Sequence, residues 1–164
     1  MEHFDWTQFT RRIAVTASME QLYAAWSIPQ EIERWFLKTA DFTTANGDLV
    51  SKEIPVATGS RYTWIWHLYD DREQGTITAA NGTDFIQFTF AGACLVDVKL
   101  TEEEGYTIVE LTQKHIPTDE DSKQFIRLGC HTGWSFYLLN LKSVMEGGLD
   151  LRNKDTRLQP MLNN

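Results

Sequence analysis

The chain has 164 residues, with 15 Lys and Arg against 23 Asp and Glu, and a formal net charge of -8. Hydrophobic residues make up 42% and charged residues 23%, which is typical of a globular domain and excludes a disordered or collagen-like chain. No basic stripe is visible, so we expect neither nucleic acid nor an anionic membrane as partner. The chain also lacks a bilayer-length apolar run and a signal-peptide pattern, which predicts a cytoplasmic protein without a membrane span.

The first part of the chain predicts one strand and two short helices. The segment from Phe9 to Thr16 has the apolar pattern of a strand. Ser18 is a typical helix N-cap, and Gln21 stands at its capping-box position. Pro29 suits the first turn of a second helix, whose apolar residues follow with helical spacing.

After these helices the apolar period changes to two, which predicts about six antiparallel strands joined by short turns. Asn46-Gly47 and Asn81-Gly82 are strong hairpin signals, and Asp70-Asp71 marks a further turn. The segments with strand periodicity are Ala40–Thr43, Leu49–Lys52, Arg61–Leu68, Gln74–Thr78, Phe85–Phe90, Leu95–Leu100 and Tyr106–His115.

The last regular element is a long helix from about Ser122 to Met145. Its apolar stripe recurs at helical spacing, and Gly147-Gly148 is the C-cap signal. Gly129 and Gly133 interrupt this helix at a cost of about 1 kcal/mol each relative to alanine. We expect a steric reason for them, either a ligand or, as the favoured alternative, tight packing of the helix on the sheet.

These elements together predict an α+β domain. A sheet with one apolar face must bury that face, and only the final helix is long enough to cross it. The sheet should therefore curl around this helix, with the two short helices closing one end. We assign residues 1–148 to this single domain and residues 149–164 to a polar, loosely ordered C-terminal tail.

Aromatic residues are abundant, with 6 Trp, 9 Phe and 5 Tyr. Concave aromatic residues opposite a helix form either a packed core or a ligand pocket. We expect an internal cavity lined by the inward-facing residues of the sheet and the long helix. They are Tyr62, Trp64, Trp66, Phe88, Phe90, Leu111, Gln113, His115, His131, Trp134 and Leu138.

The histidines raise the question of catalysis. If the strand and helix faces converge, His115, Gln113 and His131 form a polar cluster that could act as a general base or orient a ligand carbonyl. A histidine that is simply hydrogen-bonded at the pocket end is the favoured alternative, so we assign no catalytic residue. Neither HxxxH nor CxxC occurs, which predicts no metal site, and we expect Cys94 and Cys130 to remain free thiols.

Several stretches give the chain a resemblance to a known superfamily. The sequence from about Phe9 to Gly148 resembles the START-like, or SRPBCC, superfamily of polyketide cyclases and Bet v-like proteins, and most of all its activator-of-heat-shock-protein-ATPase homologue (AHSA-like) branch. The stretches that carry this resemblance are Ile13–Val15, Met19–Trp26, Pro29 with Trp35-Phe36, Gly59–Trp66, Gly75–Ile77, Ile86–Phe90, Gly133-Trp134, Leu138, Leu141 and Glu146–Gly148.

The resemblance implies a helix-grip fold, in which a curved antiparallel sheet wraps around the long C-terminal helix. It also implies a cavity that holds an apolar small molecule or lipid, and it implies no cofactor and no fixed catalytic set. We therefore expect non-catalytic binding of a small hydrophobic molecule. Two alternatives stay open: a cyclase or aromatase that uses His115 or His131, and an interaction domain that serves a heat-shock chaperone.

Overall fold

The computed structural model describes residues 3–164 of the chain. Within this range seven strands form one antiparallel sheet with the order β1-β7-β6-β5-β4-β3-β2. The strands are β1 (Phe9–Val15), β2 (Thr39–Thr43), β3 (Arg61–Ile65), β4 (Arg72–Ala80), β5 (Phe85–Phe90), β6 (Cys94–Glu103) and β7 (Tyr106–Lys114). The helices are α1 (Met19–Ser27), α2 (Pro29–Trp35) and α3 (Gly129–Met145), and a π-helical segment (Ser122–Leu128) leads directly into α3.

The predicted α+β architecture is confirmed, with the long C-terminal helix and two short helices after the first strand. The two short helices begin as expected, since Ser18 and Gln21 form a complete capping box and Pro29 opens α2. Among residues 3–164, no helix combines the length and apolar character that crossing a membrane requires.

The hairpin expected at Asn46-Gly47 forms only its turn. Gly47 has a φ of 90°, but the returning segment makes a single bridge, from Leu49 to Thr43, and no strand. The predicted strand Leu49–Lys52 is wrong: the Val50 amide still donates to the Phe42 carbonyl of β2 at 2.9 Å, but Lys52 is bonded to α2 instead. The Lys52 carbonyl accepts a hydrogen bond from the Gln30 amide N–H, and the Lys52 ammonium group donates to the Glu33 carboxylate at 2.7 Å.

The core lies between the concave face of the sheet, α1, α2 and one side of α3. Side chains of β5, β6 and β7 form its floor, including Phe88, Val96, Val98 and Leu111, all of which are buried. Trp35 is fully buried and fixed by its indole N–H, which donates to the Ala25 carbonyl at 2.9 Å. This ties α2 to α1 and closes one end of the core.

The C-terminal segment packs on the domain, so the expectation of a loosely ordered tail is wrong. The side chain of Arg152 is only 4% exposed. Its guanidinium donates to the carbonyls of Glu33, Arg34 and Leu37 at the end of α2, each at 3.0 Å, and pairs with Asp150. Apolar periodicity carried no signal for this segment, because a charged side chain and backbone carbonyls hold it in place.

Candidate functional site

A cavity of about 490 Å³ opens beside α3, between the start of that helix, the turn joining β3 to β4, and the C-terminal segment. Eight of its eighteen lining residues are aromatic. The residues that line it are Phe36, Trp66, Tyr69, Asp71, Arg72, Glu73, Phe90, Phe125, Gly129, Cys130, Thr132, Gly133, Trp134, Phe136, Tyr137, Met161, Leu162 and Asn164.

The aromatic walls form a continuous set of contacting rings. The ring centroid of Phe36 lies 5.5 Å from that of Trp66 and 5.0 Å from that of Tyr137, and both pairs are edge-on. Phe90 lies 5.2 Å from Trp134 and 6.4 Å from Trp66. These separations are typical of aromatic pairs that stabilise each other, so the walls are held in place before any ligand enters.

The glycines of α3 make room for this cavity. A Cβ built on Gly133 meets no heavy atom within 4 Å, and one on Gly129 meets only the Gln124 carbonyl at 3.7 Å. The favoured expectation of tight packing between helix and sheet is therefore wrong for both glycines. Each lacks a side chain where the helix borders open space.

The mouth of the cavity is apolar and exposed. Phe125 is 67% exposed and Leu162 is 79% exposed, and both line the cavity. Phe125 belongs to the π-helical segment, a geometry that often occurs at functional sites. The C-terminal segment is held at the mouth by the Tyr137 hydroxyl, which donates to the Asn164 carbonyl at 2.7 Å.

Three ionisable groups of the cavity, those of Glu73, Cys130 and Tyr137, are partly or fully buried. Burial raises the pKa of Glu73, although the Ala91 amide N–H partly offsets this by donating to its carboxylate at 2.9 Å. Burial raises the pKa of the Cys130 thiol to about 11 and also raises the pKa of Tyr137. At neutral pH Cys130 is therefore a protonated thiol and a weak nucleophile.

Three of the residues expected to line the cavity do so, namely Trp66, Phe90 and Trp134. Six others lie in the packed core beneath it. They are Tyr62, Trp64, Phe88, Leu111, Gln113 and Leu138. Tyr62 and Trp64 stack on each other with ring centroids 3.8 Å apart, which leaves no space for a ligand between them.

The structure does not bring the two histidines together with Gln113. β7 ends at Lys114, and His115 has a φ of 62°, so the strand alternation breaks and its side chain is exposed. His131 is half-buried and packs edge-on against Phe9 of β1, with ring centroids 5.2 Å apart. Neither histidine lines the cavity.

Other wall residues were not expected from the sequence. Tyr137 directly precedes Leu138 of the predicted stripe, so the cavity takes the neighbouring side of the same helix. Glu73 lies just before the predicted strand Gln74–Thr78, whereas β4 begins at Arg72 and carries Glu73 into the sheet. Met161 and Leu162 had no signal, because their position depends on how the C-terminal segment folds back.

No metal centre can be built from the part of the chain that the structure covers, residues 3–164. In that range no three His, Cys, Asp or Glu side chains are grouped to hold an ion. The cysteines Cys94 and Cys130 are both free, as expected. The cavity walls carry aromatic rings, the Cys130 thiol and the ionisable side chains of Asp71, Arg72 and Glu73.

Solved structures with the same fold cover most of this chain. A protein from Staphylococcus saprophyticus superposes with a TM-score of 0.69 at 24% identity, covering 88% of this chain and 96% of its own. The Aha1 dimer from Colwellia psychrerythraea superposes with a TM-score of 0.67 at 19% identity, covering 86% of this chain and 97% of its own. An HSP90 activator from Plasmodium falciparum superposes with a TM-score of 0.61 at 17% identity, covering 85% of this chain and 96% of its own. At these identities the likeness shows the fold alone.

A comparison with curated protein sequences finds no significant match. The sequence profile of one family matches residues 16–146, which is most of the chain and includes both α1 and α3. That family is described as activator of Hsp90 ATPase homolog 1-like protein. The match agrees with the AHSA-like resemblance of the sequence and with the helix-grip arrangement of sheet and helix. The chain belongs to the family of activator of Hsp90 ATPase homolog 1-like proteins.

Proposed function

We propose that this domain binds a small hydrophobic or lipid-like molecule in the aromatic cavity, without transforming it, in the cytosol. The observation that carries the proposal is the open space beside Gly133, bounded by Phe36, Trp66 and Trp134. A volume of about 490 Å³ lies within the range of small-molecule pockets. A protein with no use for that space would gain stability from a larger residue at Gly133, since glycine weakens a helix interior.

Binding is favoured over catalysis by the chemistry of the walls. The Cys130 thiol is protonated at neutral pH because burial raises its pKa to about 11. His115 and His131, the groups on which a cyclase would depend, lie outside the cavity. The cyclase alternative therefore has no acid–base histidine at the proposed site.

Fluorescence titration with N-phenylnaphthylamine, an uncharged apolar dye, tests the proposal. The dye has about seventeen heavy atoms, and roughly 0.3 kcal/mol per atom corresponds to a dissociation constant on the order of 100 µM. Dye emission should rise on binding, and excess dye should raise the melting temperature. If neither signal changes up to the solubility limit of a panel of dyes, fatty acids and flavonoids, the proposal is wrong.

Interaction with a heat-shock ATPase is a second candidate. It is supported by the description of the family and by two structural relatives, the Aha1 dimer and the HSP90 activator. A purified Hsp90 ATPase assay with this protein tests it directly. An increase in ATP hydrolysis that persists in the cavity-filling variant Gly133→Leu would place this activity on the surface, separate from ligand binding.

A further inference from the structure

A carboxylate lies among the aromatic walls of the cavity. Glu73 of β4 lines the same space as Trp66, Phe90 and Trp134, and it is half-buried. Its carboxylate accepts one hydrogen bond from the described residues 3–164, the Ala91 amide N–H at 2.9 Å. An ionised carboxylate offers about four acceptor positions, so most of its capacity is left for a ligand or solvent.

No basic side chain neutralises this carboxylate. Burial raises the pKa of Glu73, and the hydrogen bond from the Ala91 N–H lowers it. Within residues 3–164 no Lys or Arg side chain shifts this pKa. Arg72 also lines the cavity, but its side chain is exposed and makes no ion pair with Glu73. An ionised carboxylate that is partly desolvated and unpaired attracts a cation strongly.

The aromatic walls also favour a positively charged ligand. Trp66 and Trp134 both border the cavity with Glu73, and the faces of aromatic rings attract organic cations. Asp71 adds a second acidic side chain to the lining, so the cavity has two carboxylates and only one guanidinium, that of Arg72. An apolar body with a positively charged end matches both features at once.

We infer that the ligand is an amphipathic amine, whose apolar body packs against Phe36, Phe90 and Trp134 and whose protonated amino group pairs with Glu73. This inference rests on the proposed function, because it names the class of molecule that the same cavity binds. It assigns Glu73 as the residue that determines ligand specificity.

Three compounds with one apolar body test the inference. Naphthylethylamine, naphthylethanol and naphthylacetate differ in carrying a positive, a neutral and a negative group. Their affinities are measured at neutral pH by displacement of N-phenylnaphthylamine. A charge-assisted hydrogen bond should make the amine bind roughly tenfold tighter than the alcohol, with the acid weakest.

Matched variants assign the preference to Glu73. Glu73→Gln keeps the size of the side chain and its acceptor for Ala91, so it should fold normally. It should weaken the amine by roughly tenfold and leave the alcohol unchanged. Arg72→Gln, the control, removes the neighbouring charge at the same cavity and should not weaken the amine.

The outcomes separate the two proposals. Failure of N-phenylnaphthylamine to bind overturns the proposed function itself. If the dye binds but the three compounds compete equally, or the acid competes best, the amine inference is wrong and the apolar cavity stands. An amine preference that survives in Glu73→Gln also overturns it.

Discussion

The indole Nε1 of Trp134 donates a hydrogen bond to Gln113 Oε1 at 3.0 Å, and both side chains are buried. This bond joins α3 to β7 across the core. It fixes the orientation of a ring that contacts Phe36, Phe88 and Phe90. Trp134 thus belongs to the core on one side and to the cavity wall on the other.

Trp134→Ala should destabilise the protein by about 3–5 kcal/mol, because it removes a buried aromatic ring and strands the Gln113 carbonyl. Leu139 lies on the same helix but is 57% exposed, so Leu139→Ala should change stability by less than about 1 kcal/mol. Urea unfolding measures both. Equal losses in the two variants would mean that α3 faces the sheet differently.

The two glycines Gly75 and Gly133 should respond in opposite ways to alanine. A Cβ on Gly75 would lie 2.5 Å from Thr89 Oγ1 and from the buried ring of Tyr62, so Gly75→Ala should cost about 1–3 kcal/mol. A Cβ on Gly133 meets nothing within 4 Å, so Gly133→Ala should stabilise the helix by up to about 1 kcal/mol. Thermal melting tests the pair, and destabilisation by Gly133→Ala would show that the helix is tightly packed there.

Arg152→Ala should destabilise the protein by about 2–4 kcal/mol, since it leaves three backbone carbonyls without their guanidinium donor and removes the guanidinium from Asp150. Arg157 is the control, because its side chain is 85% exposed beside Asp155 and Arg157→Ala should have almost no effect. Chemical unfolding of both variants measures the difference. Similar losses would contradict the clamp that Arg152 forms on α2.

The same clamp predicts a dependence on acid. Burial raises the pKa of Asp150, but hydrogen bonds from Arg152, Lys154 and Asn140 outweigh it and hold that pKa well below its usual range. The stability that this provides is complete above pH 3.8 and is lost as the pH falls below it. As the pH falls from about 6 to about 2, the free energy of unfolding should therefore decrease less steeply in Arg152→Ala than in the wild type. Parallel curves would contradict the role of Asp150.

Alkaline solution should destabilise the protein through Cys130. Burial raises the pKa of this thiol from 9.0 to about 11, so its contribution is complete below pH 9 and is lost as the pH rises toward 11. Cys130→Ala should flatten this loss without abolishing it, because burial also raises the pKa of Tyr62 and Tyr137. Urea midpoints across this range test the prediction, and an unchanged slope would mean that the thiol is solvated.

The sequence predicts the elements of this fold better than the location of its cavity. The Ser18 capping box and the stripe of α3 each depend on local residue spacing, and both are confirmed. Strand alternation is also local, and it predicts every strand of the sheet but also the strand Leu49–Lys52, which does not form. Whether an inward aromatic residue packs or borders space depends on the whole assembly. Trp64 and Trp66 share one predicted strand face, yet β3 ends at Ile65, so Trp64 is core and Trp66 lies at the cavity.

Two other departures have equally local causes. His115 leaves the strand because its backbone enters the left-handed region, which alternation cannot anticipate. The C-terminal segment packs through Arg152, and a charged residue in a polar stretch gives no apolar signal. The resemblance to a family described the fold well, but it carried no information on which walls remain open.

Filling the cavity from α3 tests the central claim most directly. Gly133→Leu places a side chain into the space that borders Gly133, and leucine suits a helix interior, so the variant should fold at least as stably as the wild type. The measurement is the affinity of N-phenylnaphthylamine for Gly133→Leu and for the wild type, with Leu139→Ala as a surface control. The account predicts that the wild type and the control bind the dye alike, and that the filled variant loses at least about tenfold in affinity. Undiminished binding to a stably folded Gly133→Leu protein would contradict it, because the ligand would then occupy some other part of the molecule.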